Sequence, residues 1–270
     1  MEKLDIYCFT SKNYKFLDYL PKNIMPVGLG NNDYSKNYLV ETSGKNISKF
    51  NKYFAELSGI YWVYKNKLSQ YNNNDFIGFC HYRRLWLDGL YSKNHKINSN
   101  IFSKLLTQKL KIFDNSEVIM LQPTKLKNEN IYDHFKNNHG SELMDYAISL
   151  LDVKKSDAFK KYLKNNELSV CTMFITRPSI LRDYCDFIFP FLIKLLDYSL
   201  SNNLCVGKNT RLPGFFMERF TSFWFHEYHN VKYLSYAQLG NFFTSNLTNS
   251  LYNTLKTPLT FRFFPTFLDI

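Results

Sequence analysis

The sequence has no apolar run of the roughly 18 residues that a membrane span needs. The nearest, Phe187 to Leu196, is interrupted by Pro190 and Lys194. The opening Met1 to Thr10 has no basic segment ahead of an apolar core and turns polar at Ser11, so neither a secretory leader nor an N-terminal anchor is expected. Cysteine is scarce and scattered: Cys8, Cys80, Cys171, Cys185 and Cys205 are odd in number and contain no Cys-x-x-Cys pair. That argues against a disulfide framework or a zinc knuckle. Each sits among apolar or aromatic neighbours and reads as a reduced core residue. There is no glycine-rich phosphate loop of Rossmann or Walker type, no Asp-x-Asp behind a buried strand, and no nucleophile elbow. Dinucleotide oxidoreductases, P-loop enzymes and serine hydrolases are disfavoured accordingly. Asp152, Asp157 and Asp186 are too scattered to argue for a metal, and His134 and His139, in a polar segment read as loop, make a poor zinc pair. No dense Lys/Arg block marks a nucleic-acid tail, and no internal repeat is visible.

What is present is a large potential core. Of 270 residues, 45% are hydrophobic and 18% aromatic, against 21% charged, the opposite of a disordered composition. A single domain over residues 1–253 is expected, followed by an aromatic and basic strap at 254–270. The strap combines Lys256 and Arg262 with five or more large apolar side chains and two prolines. It reads either as a segment packed over the domain or as a lipid- or partner-facing edge. A net charge of +11 and a pI near 9.2 favour anionic partners: nucleic acid, a nucleoside diphosphate or an anionic membrane surface.

Apolar runs predict buried strands at Leu4 to Thr10, Phe76 to Tyr82, Val118 to Leu121 and Val170 to Thr176, with another at Val231 to Ser235. Helical spacing predicts helices at 46–68, 101–112, 141–151, 157–165, 180–200 and 215–229, the fifth bent near Pro190. Strands alternating with helices give an α/β domain with a mainly parallel sheet, and the helix-rich last third covers one side.

Three groups can carry chemistry. His81-Tyr82-Arg83-Arg84 follows a buried strand, at the carboxyl end where open α/β sheets bind ligands. The arginines can fork onto phosphate oxygens or stand as a solvated, salt-bridged pair. Asn46 and Ser48 open the first helix, where they can cap free N–H groups or meet a phosphate or hydroxyl. Asn51, Glu56, Trp62 and Asn66 on that helix fit either a ligand or plain packing. Glu218, with Arg211, Gly214 and Arg219, lies where a loop enters a helix, and is either an oriented general base or a charge that complements the helix dipole.

Taken together, Glu41-Thr-Ser-Gly44-Lys-Asn46-Ile47-Ser48, Asn51, Glu56-Leu57, Tyr61-Trp62, Lys65-Asn66 and Gly78-Phe-Cys-His81-Tyr82-Arg83-Arg84 resemble one family. It is the bacterial capsular-polysaccharide glycosyltransferase family first catalogued as domain of unknown function DUF4422. The likeness continues in Met173-Phe174-Ile175 and in Arg211, Gly214, Glu218 and Arg219. Two departures stand out: Lys45 replaces a usual acidic residue and Thr172 a usual asparagine.

The resemblance implies a GT-A-like fold, a Rossmann-type mixed sheet flanked by helices with a helical C-terminal part. It implies a nucleoside-diphosphate sugar donor, a UDP-sugar and in some members a galactofuranose donor, and a glycan acceptor on a lipid carrier. His81, Tyr82, Arg83, Arg84, Asn46, Ser48 and Asn51 are then assigned to the donor and its diphosphate. Glu56, Trp62, Thr172, Arg211, Gly214, Arg219 and His139 are assigned to substrate, and Glu218 to the catalytic base. His81, Arg83 and Arg84 fall where metal-dependent GT-A enzymes carry acidic metal ligands, so no metal or other cofactor is expected. Inverting transfer in the cytoplasm, peripheral to the inner membrane face, is the reading. Retaining transfer on the same fold and a non-catalytic glycan- or nucleic-acid-binding protein are the alternatives, and nucleic acid is not an expected partner.

Overall fold

The structure, a computed structural model, describes residues 2–89, 105–107 and 116–238. The strap at 254–270 and most of the helix expected at 101–112 lie outside these residues. Within the latter, Leu105 forms an isolated antiparallel bridge with Leu87 rather than a helical turn.

Strand β1 (Leu4–Thr10) is buried along its whole length. Its flanks explain why. It runs parallel to β2 (Ile24–Gly28) on one edge and to β4 (Phe76–His81) on the other, and a central strand of a parallel sheet, covered on both faces as well, is mostly apolar, here all but Asp5 and Thr10. The short β3 (Leu39–Val40) continues the sheet past β2, also in parallel. Beyond β4 the direction reverses: β9 (Phe174–Thr176) is antiparallel to β4 and to β6 (Val118–Leu121), and β10 (Val231–Leu234) is parallel to β6. The order is β10-β6-β9-β4-β1-β2-β3. From the end of β4 the chain turns back as β5 (Arg84–Trp86), which pairs with β11 (Tyr236–Gln238).

The expected helix over 46–68 is broken. A 3₁₀ turn, Ser48–Phe50, leads into α1 (Asn51–Phe54), and Ala55, at φ 49° and ψ −126°, separates it from α2 (Glu56–Asn66). Such a conformation costs a non-glycine residue about 1–3 kcal/mol. Asn51 offsets this by donating from Nδ2 to Ala55 O at 3.0 Å and to Ser58 Oγ at 2.8 Å. The break starts α2 afresh with Glu56 as its first residue. Gly59 lets α2 lie on β1: a Cβ there would collide with the Phe9 ring and stand 2.8 Å from Leu29 Cδ2. Gly59→Ala should therefore cost about 1–3 kcal/mol in a denaturant melt, against a helix-propensity gain of at most about 1 kcal/mol. A variant as stable as the wild type would show that α2 does not need this close approach.

Between β6 and β9 the chain makes a helical excursion, closed at its base by the antiparallel pair β7 (Thr124–Lys125) and β8 (Glu167–Leu168). It carries α3 (Ile131–His139), α4 (Glu142–Ser149) and α5 (Val153–Leu163). The His134/His139 segment is thus helix, not loop. Asn130 caps α3 by accepting from Asp133 N at 2.8 Å, and Ile131 and Phe135 are buried. These helices pack on α6 (Pro178–Ser201) and α7 (Leu212–Tyr228), where Phe159 of α5 and Phe191 of α6 interleave with Phe216 and Phe220 of α7. Helix α6 continues through Pro190 as one α-helix. Among the described residues no helix is long and apolar enough to cross a membrane.

Candidate active site

The carboxyl ends of β1, β2, β4, β6 and β10 and the amino end of β9 share one edge of the sheet. That is where open α/β sheets leave a crevice for ligands. Here β4 ends at His81, Tyr82 and Arg83 make a two-residue turn, and Arg84 opens β5 directly opposite His81. Directly paired residues of antiparallel strands share a face, so His81 and Arg84 stand side by side.

Two carboxylates meet this pair. Glu56, from the start of α2, places Oε1 3.4 Å from His81 Nε2. Burial pushes the Glu56 carboxyl up, but the His81 ring and the more distant Arg211 outweigh it and hold Glu56 at about 2. Glu218 comes from the second turn of α7, deeper than a dipole-complementing first-turn charge. Its Oε2 accepts from Arg219 Nη1 at 3.2 Å. Burial raises its pKa above the ordinary 4.5. Glu56 adds to the rise, while Arg219, Arg84 and His81 oppose it. The two carboxyls of this cluster are thus pushed in opposite directions, an arrangement that can serve as a fixed anion beside a proton acceptor.

Arg84 is itself half-buried; burial works against its charge, yet Cys171, Tyr236, Glu218 and Glu56 keep its pKa raised. Cys171, read from sequence as an ordinary core cysteine, lies in this cluster with φ 65°, its thiol pushed up to about 12 chiefly by burial. The other cysteines are free and, except for half-buried Cys205, buried in the core. Arg84 Nε, a buried atom of this cluster, has no hydrogen-bond partner among the described residues, nor has Thr172 Oγ1, next in sequence to Cys171. Buried polar groups are nearly always satisfied, so the Arg84 Nε–H is free to donate to a polar ligand.

The acid limb of stability follows from Glu56. A carboxyl whose folded pKa is depressed stabilises the fold above its unfolded value of about 4.5 and loses that contribution as pH falls towards about 2. Denaturant melts across this range should show a decline that Glu56→Gln flattens. An unchanged slope in the variant would mean the pair with His81 does not stabilise the fold.

The remaining candidates have other positions. Arg83 lies in the turn with its guanidinium 5.4 Å from the Tyr82 ring centre, and Tyr82 stacks on Tyr14 at 4.7 Å. This exposes a cationic, aromatic shelf beside the cluster. Arg211, at the start of α7, is exposed and acts on Glu56 at a distance. Asn46 and Ser48 build a turn: Asn46 Oδ1 accepts from Ser48 Oγ at 2.8 Å, and its Nδ2 donates to Thr42 O and Gly44 O. Trp62 is buried and donates to Ser43 O at 2.7 Å, while Asn66 clips Lys45 through both its N–H and its C=O. Much of the sequence motif thus staples the 42–48 turn to α2, and Asn51 pins the Ala55 break. Gly214 permits contact between helices, since a Cβ there would stand 3.2 Å from Tyr53 O. Arg219 is buried, donating to Phe215 O at 2.8 Å and to His134 Nδ1 at 3.1 Å. His139 stands apart from the carboxylates, stacked on Phe215 at 4.6 Å and bonded to Asn209 Oδ1 at 2.8 Å. The structure brings together Glu56, His81, Arg84 and Glu218 near Cys171, with Thr172 next to it in the chain. It gives Asn46, Ser48, Asn51, Trp62, Gly214 and His139 partners within the fold.

Comparison with known proteins agrees with this architecture. The family model described as domain of unknown function DUF4422 matches residues 5–230. The chain belongs to the DUF4422 family. Among solved structures, this DUF4422 chain is similar to an apo structure titled WbbM bifunctional glycosyltransferase, with a TM-score of 0.73 and 21% identity. The match covers 89% of this chain and 46% of that one, so the chain spans less than half of that protein's length. No curated protein matches. The DUF4422 fold seen here is GT-A-like: a mixed, mainly parallel sheet with flanking helices and a helical C-terminal part. Among the described residues no group of three or more His, Cys, Asp or Glu side chains is arranged to hold a metal ion.

Proposed function

We propose that this protein is a glycosyltransferase that takes a nucleoside-diphosphate sugar, with uridine as the nucleoside and galactofuranose as one candidate sugar. It passes the sugar with inversion to a lipid-linked glycan acceptor of a capsular or lipopolysaccharide chain. One observation carries the reading: Glu218, a carboxyl pushed up by burial, sits within electrostatic reach of Arg84, a cation with an unsatisfied buried N–H, at the ligand edge of the sheet. Single displacement needs a base on the acceptor hydroxyl and positive charge on the departing diphosphate. Glu218 supplies the first. Arg84 supplies the second, with Arg83 and His81 beside it. Arg219 holds one oxygen of Glu218 and so orients the carboxylate without contacting substrate. Glu56, held ionised, keeps the His81 ring in place under the diphosphate. In this reading arginine replaces a divalent cation, and the enzyme works at the cytoplasmic face of the membrane.

A thermal-shift panel of nucleotides tests the donor class. At a hundredfold excess over its dissociation constant a ligand stabilises by about 2.7 kcal/mol. At roughly 2–4 °C per kcal/mol for a chain of this size, uridine diphosphate should raise the melting temperature by about 5–10 °C. A panel in which no nucleotide shifts the transition would sink the proposal.

A further inference from the structure

A second concave site lies away from the carboxylate cluster, between α2 and α6, with a volume of about 300 Å³. Its floor is the buried Phe189 of α6. Half-buried Tyr61 and Tyr64 of α2 and Ile193 of α6 form the walls, and exposed Lys65 and Asp186 form the rim. None of these residues has a part in the transfer chemistry.

The lining is set in advance. Tyr61 meets Phe189 edge-on, with centres 4.9 Å apart, which fixes the plane of the tyrosine ring. The Tyr64 hydroxyl donates to Asp186, and the Lys65 ammonium lies 4.1 Å from the Tyr64 ring centre. Ligand sites have this make-up: mostly aromatic and apolar walls with a few placed polar groups that fix orientation. A hydrocarbon chain is a poorer occupant, because it uses only the aromatic walls and makes no hydrogen bond with Lys65 or Asp186 at the rim. A polyanion is also a poor one, because the rim carries one charge of each sign and has no net attraction for it. Sugars fit both halves. Their C–H faces lie on aromatic rings, and their hydroxyls bond to a carboxylate and an ammonium alike.

Position ties the groove to the transfer site. Tyr61 and Tyr64 follow Glu56 on the same helix by five and eight residues, about 8–12 Å along its axis at 1.5 Å per residue. Ile47, which also lines the groove, belongs to the turn that the motif residues staple to α2. We propose that this groove is a second glycan-binding site, which holds an uncharged segment of the acceptor polysaccharide away from the end that receives sugar. It rests on the reading of the acceptor as a glycan. Its use is retention: a growing polymer gripped at two places leaves the enzyme less often between additions, since the second contact forms at high effective concentration.

The test is binding of the purified chain to immobilised neutral polysaccharides (galactan, glucan, mannan and rhamnan), with polygalacturonate and anionic phospholipid vesicles as competing probes. Tyr61→Ala removes the wall, and Asp186→Asn keeps the shape while changing the rim. Both are read beside their melting temperature and the uridine diphosphate shift. Retention on at least one neutral polysaccharide is expected, weakened about tenfold by Tyr61→Ala, equivalent to about 1.4 kcal/mol, and weakened also by Asp186→Asn, with melting and nucleotide shift unchanged. Three results would overturn the proposal: no neutral polysaccharide is retained, both variants bind as the wild type does, or the variants lose vesicle binding instead. Variant-sensitive retention without any nucleotide shift would support the groove and remove the donor reading, so the two failures are distinct.

Discussion

Glu218→Gln should lower turnover by about a hundredfold or more while nucleotide diphosphate binding stays nearly unchanged. The substitution keeps the shape of the side chain and one acceptor for Arg219 Nη1, so the fold around α7 has little reason to move. What it removes is the ability to take a proton. Because burial, with Glu56 adding to it, raises the Glu218 pKa above 4.5, the wild-type rate should fall on the acid side at a pH above that value. A base must be deprotonated to act, so activity rises with pH through that point, and the limb should vanish from the residual activity of the variant. Rapid mixing that separates chemistry from product release will show whether the loss lies in the transfer step. Near-normal turnover in Glu218→Gln would remove Glu218 from the role.

Arg84→Ala should cost about a hundred- to a thousandfold in turnover, the range for removing one preorganised donor from a developing negative charge. Nucleotide diphosphate affinity should drop with it. Arg84 is half-buried and feels Cys171, Tyr236, Glu218 and Glu56, so its charge acts in a partly screened setting. Arg84→Lys should rescue only in part, since an ammonium keeps the charge but not the planar fork, and it guards against mistaking a folding defect for a catalytic one. Arg83→Ala should matter less, because Arg83 lies out in the turn over Tyr82. If arginine takes the place of a divalent cation, activity persists in excess chelator. Full loss in chelator, restored by manganese or magnesium, would mean that carboxylates distant in sequence hold a metal.

The sheet was the most readable part of this sequence. Leu4–Thr10, apolar but for Asp5 and Thr10, and the apolar run Val118–Leu121 are strands over those same residues, buried along their length. Strand β2 was missed because it carries Pro26, a residue that ordinarily argues against a strand. Helix α3 was missed because its polar face dominates, leaving only Ile131, His134 and Phe135 buried. The break at Ala55 has no glycine or proline to announce it; it depends on a side-chain bond from Asn51 that no periodicity reveals. The site was legible in membership more than in roles. His81 and Arg84 sit together because a two-residue turn follows β4, and Glu56 and Glu218 join them from helices that only the fold brings to one edge. The motif residues Asn46, Trp62 and Asn66, assigned to ligands or left open, are seen to hold a turn, a role that no spacing in the sequence announces. Cys171 gave no signal at all, since a left-handed cysteine looks like any other in sequence.

The most direct measurement is release of nucleoside diphosphate from a panel of nucleotide sugars, including UDP-galactofuranose, by the purified chain with a bacterial glycan acceptor in excess chelator. The account predicts release from at least one nucleotide sugar, insensitive to chelator and slowed about a hundredfold or more by Glu218→Gln. No release from any nucleotide sugar with or without metal, or equal release by wild type and Glu218→Gln, would contradict it.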